Sequence, residues 1–223
     1  MNLKTDEFWD KVLGYSDYKK GKTYSASDIN NEPLRVKLKL LHPNVDDVNI
    51  IDKMASWMGS SVHATIEIIM QSYDNVESEL KVAFKSVSGT IDLVFDKRLI
   101  GDVKTGSEAS ISQKIKKPIK WVEQLSIYRL LYFKQFGIWL EDTGYIFWLT
   151  TDTKKRGVEE IELLSKEETI TLIKDFLNQI EKPLSEQPKC KDCSWLYRYC
   201  PTRSKCPYMS EDKNPNFKEV EEW

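Results

Sequence analysis

The sequence predicts an α/β protein, a central mixed sheet flanked by helices with a small cysteine-rich module after it. Three observations carry this. Apolar residues recur at three- and four-residue spacing between 48 and 73, short β-branched and aromatic runs fill 80–104 and return at 145–151, and helical spacing resumes at 166–180. The 223 residues fit one domain with a small appended module and suffice to bury a core. We divide the chain into residues 1–185, with a core at about 48–182, and residues 186–223.

Taken in order, the opening stretch up to Leu41 reads as helical, with Ser25 and Ser27 as cap residues before Asp28. A longer helix is expected from Val48 to Tyr73. Its apolar positions Ile51, Met54, Met58, Val62, Ile66, Ile69 and Met70 predict one buried stripe. Beside that stripe Gly59, His63 and Glu67 repeat every four residues and so share a second face. Val82, Phe84 and Val87 open the strand region. Gly89 to Phe95 and Leu99 to Lys104 then flank the polar turn Asp96-Lys97-Arg98, which reads as a hairpin. Residues 105–120 hold Gly, Ser and four lysines (Lys114, Lys116, Lys117, Lys120), as expected of an exposed loop or short helix. A helix from Trp121 to Phe136, stopping at Gly137, a strand at Tyr145–Thr151 and a helix at Lys166–Ile180 complete the domain.

Composition bounds the function classes. With 40% apolar and 30% charged residues, nine glycines and eight prolines, nothing points to disorder. No apolar run is long enough to span a membrane and the N-terminal residues are too polar for a secretory signal, so an intracellular, cytoplasmic location is expected. A net charge of −2 carries no global footprint of nucleic-acid binding, and any such role has to reside in local sites.

The chemistry concentrates at Gly101-Asp102-Val103-Lys104-Thr105-Gly106. Asp102 and Lys104 are two apart on a strand and project to one side. A turn at 96–98 brings Asp92 alongside Asp102, which gives two carboxylates able to share a divalent cation, with a lysine beside them. Asp92 lies in the apolar run Ile91 to Phe95, where a carboxylate is costly without a partner. Metal ligands, a positioned water and positive charge where an oxyanion develops are the parts that phosphodiester hydrolysis needs.

These residues resemble a known family. Gly89-Thr90-Ile91-Asp92 followed by Gly101-Asp102-Val103-Lys104 is similar to the catalytic hairpin of PD-(D/E)XK nucleases. Gln124-x-x-x-Tyr128 resembles the helix motif of the RecB-like branch, which includes AddAB-type and CRISPR-adaptation exonucleases, and Gly59-x-x-x-His63 resembles the motif upstream of it. The resemblance implies a restriction-endonuclease-like core and hydrolysis with Mg²⁺ or Mn²⁺. Asp92 and Asp102 are then the ligands, with His63 and Glu67 as further candidates, Lys104 assists the water, and Gln124 and Tyr128 address the metal site or a phosphate from one helix face. Asp stands at 102 where many members carry Glu, so the shorter side chain alters reach to the metal. Lys114, Lys116, Lys117 and Lys120 are the candidates for tracking DNA phosphates. His42, before Pro43, receives no role.

All four cysteines, Cys190, Cys193, Cys200 and Cys206, fall within seventeen residues. In an intracellular protein this spacing points to a metal centre rather than disulfides. Several RecB-like nucleases hold an iron–sulfur cluster with one N-terminal and three C-terminal cysteines. This chain has no cysteine at residues 28–40, where that first ligand would fall, so Cys206 is the candidate fourth ligand of a 4Fe-4S cluster and Zn²⁺ is the alternative. The expectation is a DNA exonuclease acting on single strands or duplex ends in recombination, repair, replication or phage DNA processing, with a helicase or recombination protein as partner. A structure-selective endonuclease and a non-catalytic nucleic-acid-binding protein of the same fold are the alternatives.

Overall fold

In the computed structural model, residues 24–48, 50–191 and 200–208 are described. A two-residue strand, β1 (Tyr24–Ser25), leads into a single helical turn, α1 (Ala26–Ile29), and then α2 (Pro33–Leu41). Ser25 caps α1 by a reciprocal box: its hydroxyl accepts from the Asp28 N–H while the Asp28 carboxylate accepts from the Ser25 N–H. Pro33 starts α2, where its missing N–H costs nothing. The long helix α3 (Ile50–Met70) follows, then β2 (Val76–Phe84), β3 (Val87–Phe95), β4 (Leu99–Gly106), α4 (Glu108–Lys116), α5 (Ile119–Phe136), β5 (Thr143–Thr150), β6 (Arg156–Glu162) and α6 (Lys166–Glu181).

The sheet is mixed, in the order β1-β3-β4-β5-β6, with β2 also on β3. The β4–β5 and β1–β3 pairs are parallel and the others antiparallel. The expected hairpin is present, with Phe95 opposite Leu99 and Leu93 opposite Gly101. Helix α5 is buried almost without a break from Leu125 to Tyr132, which makes it the central helix rather than a surface one. Its apolar side chains join Ile91, Val94, Ile100, Ile146 and Phe176 in one core. Gly137, at a φ of 74°, ends it in the left-handed conformation that glycine adopts without penalty.

Arg129 of α5 is fully buried. Its guanidinium donates to the Glu141 carbonyl at 2.9 Å, to Asp142 at 2.6 Å and to the Leu164 carbonyl, and it lies 4.6 Å from the Trp139 ring. One side chain thereby ties the central helix to the connections on either side of the β5–β6 hairpin, and its charge is offset by close partners. The segment after α6 folds back on the domain. The Asp47 N–H donates to the Pro201 carbonyl at 2.9 Å and the Ser204 N–H to the Asp47 carboxylate at 2.7 Å, which anchors residues 201–204 just before α3.

Three expectations need correction. The apolar stripe of α3 does not face the core: Met54, Met58 and Ile69 are 44%, 41% and 49% exposed, while the face bearing Gly59, His63 and Glu67 turns toward the sheet. The reason is steric, since a Cβ at Gly59 would lie 2.8 Å from Thr105 Oγ1, so only the small-residue face approaches β4 this closely. No element is expected between Thr151 and Lys166, yet residues 156–162 form the edge strand β6, where charge on the outer face is favoured. Strand β2 begins at Val76 rather than near Leu80.

Candidate active site

The site forms where the sheet is opened. Along β3 the ladder to β4 stops at Leu93–Gly101, and β1 pairs only with Val87 and Ser88. Between these contacts Asp92 takes the place of a backbone partner: its Oδ2 accepts from the Val103 N–H at 2.7 Å. On the other edge of β3 the ladder to β2 skips the Glu79–Asp92 position, and Glu79 has a φ of 48°. A glutamate in this conformation is strained by about 1 kcal/mol or more, which the surrounding strands sustain. Its carboxylate is thereby delivered to the same groove as that of Asp92.

Helix α3 adds His63, whose Nδ1 lies 3.3 Å from Asp92 Oδ2. Among the described residues, His63, Glu79 and Asp92 form the one group of three or more potential metal ligands with ligand atoms all within 4.8 Å of one another. One imidazole nitrogen and two carboxylate oxygens make a donor set for a hard or borderline divalent cation. The groove around them holds about 690 Å³ and is lined by Ser56, Gly59 and Ser60 of α3 as well as by Val103, Lys104 and Thr105. Glu67 lines it too, accepting from Gln71 at 3.2 Å, but stands outside the three-residue group.

Asp102 is beside this group rather than in it. It is 2% exposed. Lys104 Nζ approaches Asp102 Oδ2 to 2.6 Å as an ion pair, at an angle that leaves this oxygen without a well-directed hydrogen bond. Burial pushes the Asp102 carboxyl up to about 6, with Lys104 pulling it down and Asp92 pushing it further up. Glu79 is likewise raised, by burial first and then by Asp92 and Glu67. His63 is raised mainly by its bond to Asp92, against burial, which lowers it. The pocket therefore concentrates negative charge, which Lys104 answers at close range.

Lys104 is held from the other side by α5. Its ammonium donates to Gln124 Oε1 at 3.0 Å, and Gln124 Nε2 donates to the Tyr128 hydroxyl at 3.1 Å. The four-residue spacing puts Gln124 and Tyr128 on one face of the helix. Burial raises the Tyr128 phenol, so it remains protonated. Tyr128 packs over Gly89, where an added Cβ would fall 2.4 Å from its ring. Asp102, Lys104, Gln124 and Tyr128 thus form one relay across two elements.

Of the lysine cluster, Lys114 comes near Lys104 of this relay, and Lys120 near Lys114. Lys114 is lowered by partial burial of its ammonium and then by repulsion from Lys104 and Lys120. Lys114, Lys116, Lys117 and Lys120 are all exposed on α4, α5 and their connection. Cys193 lies outside the described residues; Cys190, Cys200 and Cys206 are half-buried and do not gather their sulfurs within 4.8 Å as a set. Glu79 is the residue that sequence reasoning missed.

The sequence profile of the PD-(D/E)XK nuclease superfamily matches residues 71–207. Among solved structures, SSO0001 is similar at 22% identity over 92% of this chain and 97% of that one, with a TM-score of 0.62. The alkaline exonuclease LHK-Exo of Laribacter hongkongensis aligns at 14% identity over 81% of this chain and 95% of its own, with a TM-score of 0.48. An exonuclease-like protein of Eubacterium rectale aligns at 11% identity over 84% and 77%, with a TM-score of 0.37. The likeness to SSO0001 is one of fold. No curated protein matches the sequence, and among the described residues no helix is long and apolar enough to cross a membrane.

Proposed function

Because the chain belongs to the PD-(D/E)XK nuclease superfamily, we propose that it is a Mg²⁺- or Mn²⁺-dependent deoxyribonuclease that degrades DNA from ends, on single strands or frayed duplexes. The observation that carries this reading is the meeting, in one groove, of the His63–Glu79–Asp92 group with Lys104, whose ammonium is paired to the buried Asp102 behind the groove wall. The residues fit a divalent cation: one imidazole nitrogen and two carboxylate oxygens lie close enough to share it, with the buried Asp102 carboxylate beside them. His63, Glu79 and Asp92 would hold the ion, with Asp102 completing the set. When bound, the ion supplies charge that polarises a scissile phosphate and acidifies an attacking water.

The chain's own groups do the rest. Gln124 and Asp102 fix the Lys104 ammonium from two sides, so its positive charge needs no reorganisation as negative charge develops on phosphate oxygens. Lys114 and Lys120 extend positive charge from Lys104 along the connection to α5, a path suited to a backbone of phosphates. The preference for ends is supported by the similarity of the Gly59-x-x-x-His63 and Gln124-x-x-x-Tyr128 motifs to those of RecB-like exonucleases. We assign the four cysteines a metal centre at the C-terminal end, 4Fe-4S or Zn²⁺, for which four thiolates on so short a segment are a suitable soft donor set. Visible absorbance of protein purified without oxygen separates the two.

The test uses end-labelled linear and circular DNAs with Mg²⁺, Mn²⁺ or chelator. Linear substrates are expected to be shortened from their ends in the presence of metal, and Asp102→Ala or Lys104→Ala to abolish this with the circular dichroism spectrum unchanged. Cutting of covalently closed circles would instead make the protein an endonuclease. Normal cutting by both variants would remove the site.

A further inference from the structure

A second concavity plays no part in the groove just described. It lies where the β2–β3 turn meets α5 and α6, holds about 270 Å³, and is walled by Phe84, Val87, Leu130, Ile170, Ile173 and Leu177. Lys85, Lys134 and Lys174 stand at its lining, and all three are exposed. Among the described residues, no carboxylate forms an ion pair with Lys85, Lys134 or Lys174, whereas Lys53, Lys104 and Lys155 each have one. Lys85 and Lys134 instead face the Phe84 ring at 5.5 and 5.1 Å. Lys166 lies 4.8 Å from the Phe133 ring, alongside the same α5–α6 seam. Phe84 itself is 39% exposed.

In a chain whose net charge is −2, three lysines without carboxylate partners among the described residues, around one apolar cleft, are a local excess of positive charge. The cleft is of a size to take a single bulky side chain. Apart from Ser86 and the lysine heads its lining side chains have no hydrogen-bonding group, so a nucleobase seated there would leave its polar edges unsatisfied, at a cost of roughly 1–3 kcal/mol per group. A phenylalanine or leucine side chain loses nothing on entry. Charge outside and hydrocarbon inside select an anion that carries its own apolar anchor.

We propose that this cleft is a docking site for an acidic polypeptide segment of a partner protein, one that inserts a single bulky apolar side chain between α5 and α6 and sets its carboxylates against Lys85, Lys134 and Lys174. The cleft shares no lining residue with the groove that holds His63 and Asp92. Partner and DNA can therefore be held together.

Fluorescence anisotropy of a labelled peptide, aspartates flanking one central phenylalanine, tests this with the full chain. Binding in the micromolar range is expected, weakening as salt is raised. Joint Lys134→Glu and Lys174→Glu substitution should weaken it by about tenfold or more, with the thermal midpoint and DNA cleavage unchanged. Lys154→Glu, in the β5–β6 turn, should leave affinity intact. Four outcomes overturn the proposal. They are absence of binding, equal binding when the phenylalanine is replaced by serine, displacement of the peptide by oligothymidylate with loss of both in the double variant, and a gain of about tenfold or more on removing residues 209–223, which would make this chain's own end the occupant.

Discussion

Asp102→Asn should make the metal-free protein more stable while it removes activity. Asp102 is buried, and its carboxyl is raised from an ordinary value of 3.8 to about 6, chiefly by desolvation. A group that binds its proton more tightly folded than unfolded costs stability as pH rises from the unfolded value, and in full once pH passes the folded one. Roughly two units at about 1.4 kcal/mol each puts the full cost near 3 kcal/mol. The amide abolishes that cost but is a weaker partner for Lys104, so the expected net gain in chelator is about 1–2 kcal/mol at about pH 8. The gain is present above the folded pKa, shrinks as pH falls through about 6, and is gone near the unfolded value, where the wild-type carboxyl is protonated in both states. Urea unfolding followed by tryptophan fluorescence across this range measures it directly. Added Mg²⁺ should stabilise the wild type, by linkage, and the variant much less. A variant less stable than wild type at alkaline pH, or a difference that does not change with pH, would show that the Lys104 attraction outweighs desolvation and that Asp102 is a structural ion pair.

Glu79→Gln is expected to weaken Mn²⁺ binding, read by calorimetry, by about tenfold or more, and to slow cleavage with it. Glu67→Gln should change either by much less, and equal effects would displace Glu79 from the ligand group. Gly89→Ala places a Cβ 2.4 Å from Tyr128 Cε1, so Tyr128 must shift, at about 1–3 kcal/mol by the usual cost of overpacking. Because Tyr128 holds Gln124 and Gln124 holds Lys104, the cleavage rate should fall as well as the urea midpoint, and a loss of stability alone would break that chain of contacts.

The hairpin and its carboxylate-lysine pair were legible because their information is local. A polar three-residue turn between two β-branched runs sets the register, and register places residues 92 and 102 on one side. Gln124 and Tyr128 follow from helical spacing for the same reason. Glu79 was not legible. In β2 the apolar residues Val76, Leu80 and Val82 alternate with Glu77, Glu79 and Lys81, so Glu79 reads as part of a solvated face. Its place in the groove comes from a positive φ and from the strand opposite, neither of which leaves a mark on nearby residues. The orientation of α3 failed differently. The larger apolar stripe reads as the core face, but close approach to β4 is decided by the size of Gly59, and the His63–Asp92 contact lies on that same face.

Both failures meet at the same level of the sheet. Where β3 loses its ladder to β4 beyond Leu93 and misses a pair with β2 at Glu79, backbone groups would ordinarily be left unsatisfied in a half-buried place. Asp92 resolves this for the Val103 N–H, and in doing so it is held rigidly enough to face His63. The carboxylate is therefore structural and available at once: one oxygen replaces a strand hydrogen bond, and its position opens the gap into which Glu79 and His63 project. A sheet fully paired at this level would need no aspartate there and would have no room for the groove. The raised carboxyls of Asp102 and Glu79 follow from that same opening, since it brings acidic groups together away from water. The stability given up there is met by apolar packing around α5 and by the buried Arg129 contacts, which lie on the same helix that positions Gln124.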